Sequence, residues 1–433
     1  MTALAVAFPE IERDFDVGVD TVQWIFNAYA VIFGVFIVTG GRLADLYGRR
    51  RMFLAGATIF AVFSLLAGIA PSAFLLIVAR ALMGVGGALM WPAVLAMTFT
   101  VLPKNRAALA SGIVLGAAGF GNATGPLLGG ILTDALSWRW ILFLNVPIAL
   151  VASLAAGHLR IIEQRSRTGA LIPREVFANR EFRTVCLSVL LMSVTFFSAL
   201  LYLPQFMTKI LGWSALSAGL GLLPITATFA VTAFVAGTLY ERFGGKVLLS
   251  IGALSLVVGA ILTAWSATSS SWAALVPGMA ALGLGVGLFL SSATTAGVAA
   301  IGEAQSGLAG GLIYMFQIAG GSIGLALTTS VYAIASDRSV ATQIEDSPVS
   351  LTDKEQHAVQ GLLAGTESAS QITNRMSESA AKTVESIVRD GFGSGLQWAF
   401  GFVALLAIVG LLITVTSIGG PVSALWRRRT PRS

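Results

Sequence analysis

The stretch GGRLADLYGRRRMF, residues 40–53, puts five charges into fourteen residues of a chain in which only 11% of residues are charged. Upstream runs WIFNAYAVIFGVFIVTGG (24–41) and downstream runs MFLAGATIFAVFSLLAGIA (52–70), both almost free of charge. A soluble globular protein carries about 25% charged residues. This chain is 56% hydrophobic with a mean hydropathy of +0.83, too apolar to be dissolved. Runs of about 20 apolar residues are what a helix needs to cross a bilayer. In lipid the backbone must satisfy its own hydrogen bonds, so such runs are read as helices. Residues 40–53 are then a turn between two membrane-crossing helices, and the fold class is an all-α integral membrane protein.

Working outward, spans are expected near 1–9 (short), 22–40, 52–70, 73–100, 107–133, 140–157, 184–207, 216–239, 247–267, 273–299, 307–335 and 396–418. That gives an N-terminal group over 1–157, a basic link at 158–183 and a C-terminal group over 184–418. The second group includes a polar excursion, 337–394, read as an extended loop with helix-compatible stretches, and residues 419–433 form a basic tail. Positive residues gather on the cytoplasmic side. With loop 41–51 placed inside, 18 Lys and Arg fall inside and 3 in the short outer loops, so link and tail both come out cytoplasmic. The basic residues are therefore topology signals, and nucleic acid is not an expected partner despite a pI near 9.8. One cysteine (Cys186) and two histidines (His158, His357) leave no disulfide framework and no zinc site.

The chain also repeats itself. GTLYERFGG (237–245) follows GRLADLYGR (41–49) in its Gly, Leu, acid, aromatic and Gly, each just after the second span of its group. LMGVGGAL (82–89) is echoed by LGLGVGLFL (282–290). Parallel six-span repeats with a substrate site between them at mid-membrane are one plan of secondary transporters.

Four stretches in order carry a resemblance to a family. GGRLADLYGRRR resembles the loop between helices two and three of the major facilitator superfamily, and ARALMGVGGAL (79–89) its fourth-helix motif. GAAGFGNATGPLLGG (116–130) resembles the fifth-helix motif of antiporters, and WRWILFLNVPIAL (138–150) is similar to the sixth-helix signature of the drug:proton antiporter branch. LYLPQFMTKILGWSALSAGLGLLP (201–224) extends the match into the second half. The resemblance implies two six-helix bundles related by a parallel pseudo-repeat around a central cavity. There are two departures. The two extra spans usual in this fourteen-span branch are missing between the halves. The first helix is a stump, and the aspartate that the branch carries there would fall just before Met1; a start assigned too late, or a shortened piece, is the expectation.

The charged residues acquire expected roles. Three arginines at a cytoplasmic helix end set orientation and snorkel to the interface. Asp45, four residues before Arg49, is within reach of it on a helical turn. The resemblance implies a cytoplasmic latch between the bundles built from Gly41, Asp45, Gly48 and Arg49, and the repeat extends the role to Glu241 and Arg242. Arg80 lies inside a span, where an unpaired arginine costs at least a few kcal/mol. It is expected, with Gly84, to serve the cavity or coupling, the alternative being a snorkelling residue. All 21 acids fall in loops or at span ends, among them Asp20, Asp134, Glu241 and Glu303, so no mid-span carboxylate is available to carry a proton.

In the fifth helix, Gly121, Asn122, Gly125, Pro126 and Gly129 are read as an antiporter segment. Small residues allow close packing in lipid, and a proline bends the helix. The glycines are not a nucleotide loop, because no strand precedes them and no G-x-x-x-x-G-K-[ST] occurs anywhere. Adaptable aromatic and Met side chains suit varied ligands. The cavity candidates are Trp24, Tyr29, Met90, Trp91, Asn145, Phe196, Tyr202, Gln205, Tyr314, Phe316 and Gln317, although Asn145, like Asn122, serves equally as glue between helices.

These readings imply a secondary exporter of small hydrophobic or cationic compounds, coupled to protons by alternating access, monomeric, without cofactor or metal, in the cell membrane. The alternatives are a narrow-specificity exporter of a metabolite or self-made antibiotic, and a truncated remnant or sensor that transports nothing. An enzyme is not expected, since no triad, metal cluster or cofactor loop is present.

Overall fold

The computed structural model describes residues 2–5, 7–17, 19–101, 107–158, 174–213, 215–269, 271–302, 305–345 and 378–417, and the described residues are almost wholly helical. Two short helices open the chain, α1 (Thr2–Ala5) and α2 (Phe8–Phe15). Five long ones follow: α3 (Val19–Tyr47), α4 (Arg49–Gly68), α5 (Ala73–Val101), α6 (Ala107–Ala135) and α7 (Arg139–His158). After α8 (Arg174–Ala178) come α9 (Arg180–Gln205), ending in a π turn at Phe206–Ile210, then α10 (Ala215–Gly221), α11 (Leu223–Phe243), α12 (Gly245–Ser266) and α13 (Trp272–Ile301). Two helices of 40 residues close the described chain, α14 (Ser306–Glu345) and α15 (Glu378–Ser417). Ten of these helices are long and apolar enough to cross a membrane among the described residues, and the 29-residue α6 runs beside them. Large apolar side chains such as Phe74, Val151 and Trp265 face outward, as lipid-exposed positions do.

The sequence repeat is a repeat in space. Gly48 (φ 105°) breaks α3 from α4, and Gly244 (φ 84°) breaks α11 from α12. In both turns the glycine N–H donates to the carbonyl four residues back, Ala44 in one and Tyr240 in the other. A positive φ with no steric penalty is available only to glycine, so each helix can stop and reverse within one residue. The glycine stripes of α5 and α13 also do the same work. A Cβ on Gly86 would sit 2.7 Å from the Gly56 carbonyl oxygen and the Phe60 nitrogen of α4, and one on Gly285 would sit 2.8 Å from the Gly252 carbonyl of α12. Their neighbours Gly84 and Gly283 face the other way, against the Tyr29 carbonyl of α3 and the Ile225 carbonyl of α11. Each group thus threads one glycine-lined helix between two others, at a separation that only the missing side chains permit.

The two groups, α1–α7 and α9–α15, meet along α3 against α14 and α6 against α11. Two expectations are corrected. The first segment does not stop near residue 9: after α1 it resumes as α2, with Ile11 fully buried and Arg13 and Asp14 exposed. The excursion 337–394 is not an extended loop at its ends. Helix α14 runs on to Glu345 and α15 begins at Glu378, and Val340, Val384, Ile387 and Val388 close an apolar seam between them. At 1.5 Å per residue, 40 residues span about 60 Å, against a hydrocarbon core of about 30 Å, so the pair projects well beyond the bilayer. Residues 346–377, the link residues 159–173 and the tail 419–433 lie outside the described residues.

Candidate functional site

Within residues 40–53, α3 of the first group meets α14 of the second. Around Gly41, α3 and α14 touch backbone to backbone: a Cβ on Gly41 would sit 2.6 Å from the Gly307 carbonyl oxygen, and one on Gly311 3.0 Å from that of Ile37. Asp45 lies in this contact and is 1% exposed. Its Oδ2 accepts a hydrogen bond from the Leu308 N–H at 3.1 Å, one of the N–H groups that the first turn of α14 leaves without an intrahelical partner. A carboxylate at a helix N-terminus is favoured by the helix dipole as well. The other carboxylate oxygen, Oδ1, is 3.6 Å from Arg49 Nη2, on the next turn past the Gly48 break.

The three consecutive arginines have three destinations. Arg49 is buried and donates to the Ala96 carbonyl at 3.0 Å and to the Thr100 hydroxyl, both on α5. Arg50 donates to the Gly157 carbonyl and so covers the last turn of α7. Arg51 is exposed. Arg42, one turn before Asp45, is buried beside them.

Further along the same seam lies an aromatic wall. Tyr29 stacks on Phe33 (centroids 5.7 Å apart), Phe33 meets Tyr314 edge-on (5.3 Å), and Tyr314 meets Trp91 (4.7 Å). Tyr314 belongs to the second group and the other three to the first, so the wall crosses the boundary. Arg80 stands at its end, 5% exposed, with its guanidinium 4.8 Å from the centroid of the Tyr29 ring and its Nε donating to the Ile25 carbonyl at 3.2 Å. A cation over an aromatic face is stabilised most where water is excluded.

These features invite comparison with known proteins. The model of the Major Facilitator Superfamily matches residues 1–325. The chain belongs to the Major Facilitator Superfamily. Among its relatives, the multidrug resistance protein Stp of Mycobacterium tuberculosis (strain CDC 1551 / Oshkosh) is 30% identical over 386 residues, covering 76% of this chain and 72% of Stp. The tetracenomycin C resistance and export protein of Streptomyces glaucescens is 28% identical over 476 residues, covering 95% of this chain and 88% of that protein. Among solved structures, the human organic anion transporter MFSD10 superposes with a TM-score of 0.67 at 15% identity, covering 94% of this chain and 88% of that one. At that identity the likeness is one of fold. Members of this superfamily are membrane transporters rather than enzymes, and the chain is a multi-pass membrane protein of that kind.

Within the superfamily fold the remaining candidates separate. Phe196 and Gln317 line a narrow cleft inside the second bundle with Ser193 and Phe289. Tyr202 donates to the Thr329 hydroxyl at 2.9 Å and packs on Tyr332, while Gln205 is half-buried where α9 gives way to the π turn and Phe316 packs at the edge of the core. Three candidates sit away from the seam. Asn145 donates to the Ser64 hydroxyl at 3.0 Å, which in turn donates to the Leu142 carbonyl; its amide is glue between α4 and α7. Met90 packs between α4 and α5, and Trp24 is 58% exposed on α3. Gly84 is a packing contact of α5 with α3, against the Tyr29 carbonyl.

The second turn is not a copy of the first. Glu241 and Arg242 are exposed at the end of α11, with Arg242 over the Phe243 ring, where Asp45 and Arg49 are buried. In α6, Gly129 admits the Ala3 carbonyl of α1, Gly125 is buried, and Gly121 faces open space. Asn122 and Pro126 lie in the same helix, with side chains outside what the structure describes. Among the described glycines of α6, Gly112 and Gly116 meet the other bundle, against Ala233 and Phe234 of α11.

Two contributors escaped the sequence reading. The Thr295 hydroxyl of α13 donates to that of Ser111 of α6 at 2.9 Å, joining the bundles on the side opposite α3 and α14. Nothing distinguishes these two residues from other Ser and Thr in the spans. The second contributor, the start of α14, is legible in retrospect: SGLAGG (306–311) clusters small residues at a helix N-terminus.

Proposed function

We propose that the chain exports small hydrophobic compounds across the cell membrane by alternating access, with the movement coupled to protons. The observation that carries this reading is the Asp45 contact. A single buried carboxylate of one bundle holds the N-terminus of a helix of the other, which makes a joint that can part without unfolding either bundle. On this reading the latched end is cytoplasmic, in line with the bias of 18 basic residues to 3, and the latched state is the one closed to the cytoplasm. Gly41, Asp45, Gly48 and Arg49 form the latch, Arg80 the coupling residue, and the Tyr29–Phe33–Tyr314–Trp91 wall part of the substrate path. The relatives, a multidrug resistance protein and a tetracenomycin C resistance and export protein, support cargo of this character. Cationic cargo finds less support. Among the described residues Asp45 is the buried carboxylate, and it is committed to Leu308 and Arg49. The chain is taken to work as a monomer.

The test is efflux of a hydrophobic dye from cells expressing the full chain, with and without an uncoupler. Export that the uncoupler abolishes, and that Asp45→Asn removes at normal membrane abundance, is expected. Export that persists under the uncoupler defeats proton coupling, and near-normal export by Asp45→Asn defeats the latch.

A further inference from the structure

Two donor groups on α5 have no acceptor. Arg80 Nη2 is buried without a hydrogen-bond partner, although the same guanidinium uses Nε on Ile25 and its face on Tyr29. Trp91 Nε1 is likewise buried and without a partner. Buried polar groups in folded proteins are nearly always satisfied, and a specific exception calls for an explanation such as an absent ligand or water. Both residues belong to α5 and are eleven positions apart, about three turns, which returns them to the same face of the helix. Between them lie Gly84 and Gly87, whose missing side chains let Tyr29 and Phe33 rest on the helix. The arrangement is therefore one site: an aromatic wall drawn from both bundles, an indole N–H at one end and a guanidinium at the other.

The electrostatics of this site are one-sided. The buried charged side chains among the described residues are Arg42, Asp45, Arg49 and Arg80. Asp45 is engaged with Leu308 and Arg49 at the latch, so no described carboxylate balances Arg80. In a low-dielectric setting like charges repel and opposite charges attract far more strongly than in water, and a guanidinium with a spare N–H is suited to a carboxylate-type acceptor.

We propose that this seam binds flat aromatic compounds bearing an anionic group, with the anion on Arg80, the ring system along Tyr29, Phe33 and Tyr314, and a second acceptor on Trp91 Nε1. The inference rests on the exporter reading for its biological sense but on the two orphan donors for its chemistry. The order of preference is anionic, then neutral, then permanently cationic aromatic.

Two dyes sharing one xanthene scaffold provide the test, fluorescein as the anion and rhodamine 123 as the cation. Fluorescence polarisation is measured on the full chain in phosphatidylcholine nanodiscs, whose lipid carries no net charge. The wild type is expected to bind fluorescein at least tenfold more tightly than rhodamine 123. Arg80→Gln is expected to weaken fluorescein about tenfold or more without weakening rhodamine 123, and Arg80→Lys to restore part of the preference. A wild type that favours rhodamine 123 overturns the proposal without recourse to any variant. So does an Arg80→Gln protein, monodisperse on gel filtration, that loses affinity for both dyes equally. Efflux assays on the same pair separate the two readings. Anion-selective binding without efflux leaves the site standing and removes the exporter, whereas robust export of rhodamine 123 but not fluorescein does the reverse.

Discussion

Replacing Asp45 by Asn should open the latched end of the molecule by a calculable amount. The Arg49 contact lies within one bundle and is lost in latched and unlatched states alike, so it cancels from the equilibrium between them. What parts on unlatching is the Leu308 N–H to Asp45 Oδ2 bond, 3.1 Å long and fully buried. A hydrogen bond to a charged acceptor contributes about 1.5–3 kcal/mol, and a neutral one about 0.5–1.5. Asparagine keeps an acceptor of the same shape, so the latched state loses roughly 1–1.5 kcal/mol, or about a 5- to 12-fold shift in population at 1.4 kcal/mol per decade. Spin labels on Arg51→Cys and Arg183→Cys, in a Cys186→Ser background, report the separation of the bundles at this end, since both positions are exposed and lie on different bundles. The wild type should give a dominant short distance, and Asp45→Asn a longer population grown by that factor. Indistinguishable distance distributions, from protein of equal monodispersity, would refute the assignment of the Leu308 bond as the joint.

Three other outcomes follow from the same geometry. Gly41→Val places a side chain within 2.6 Å of the Gly307 carbonyl; overpacking of this kind costs about 1–3 kcal/mol, so the label distance should lengthen at least as much as in Asp45→Asn, while Gly121→Ala, facing open space, leaves it unchanged. Ser111→Ala removes the hydroxyl that accepts from Thr295 across the other seam; hydrogen bonds between membrane helices average about 0.6 kcal/mol, so a shift of about threefold is expected, adding to that of Asp45→Asn in the double variant. Val384→Asp puts a charge into the apolar seam between α14 and α15, and hydrogen–deuterium exchange should then lose protection over 336–345 and 383–392 while α3–α7 keep theirs.

Membrane residence, the helical class and most of the spans were legible in the chain, and the reason is the solvent. A bilayer forces each apolar run of sufficient length to close its hydrogen bonds locally, so span length, glycine turns and glycine stripes carry their structural meaning without knowledge of any neighbour. The resemblance of Gly41, Asp45, Gly48 and Arg49 to a family motif marked this turn for attention, and Gly41 and Asp45 do meet α14. It did not reveal that Arg49 and Arg50 reach different helices, nor that the partner of Asp45 is a backbone N–H 263 residues away. The same limit explains the exposed Glu241 and Arg242: the repeat copies a sequence pattern and a turn, but burial depends on which helix the other bundle brings against it. It explains α14 and α15 too, whose polar ends read as loop because their apolar seam exists only when the two lie side by side. Whether a helix crosses the membrane depends on its own composition, whereas which side chains touch depends on how independent helices dock, and that was decided only by the tertiary structure.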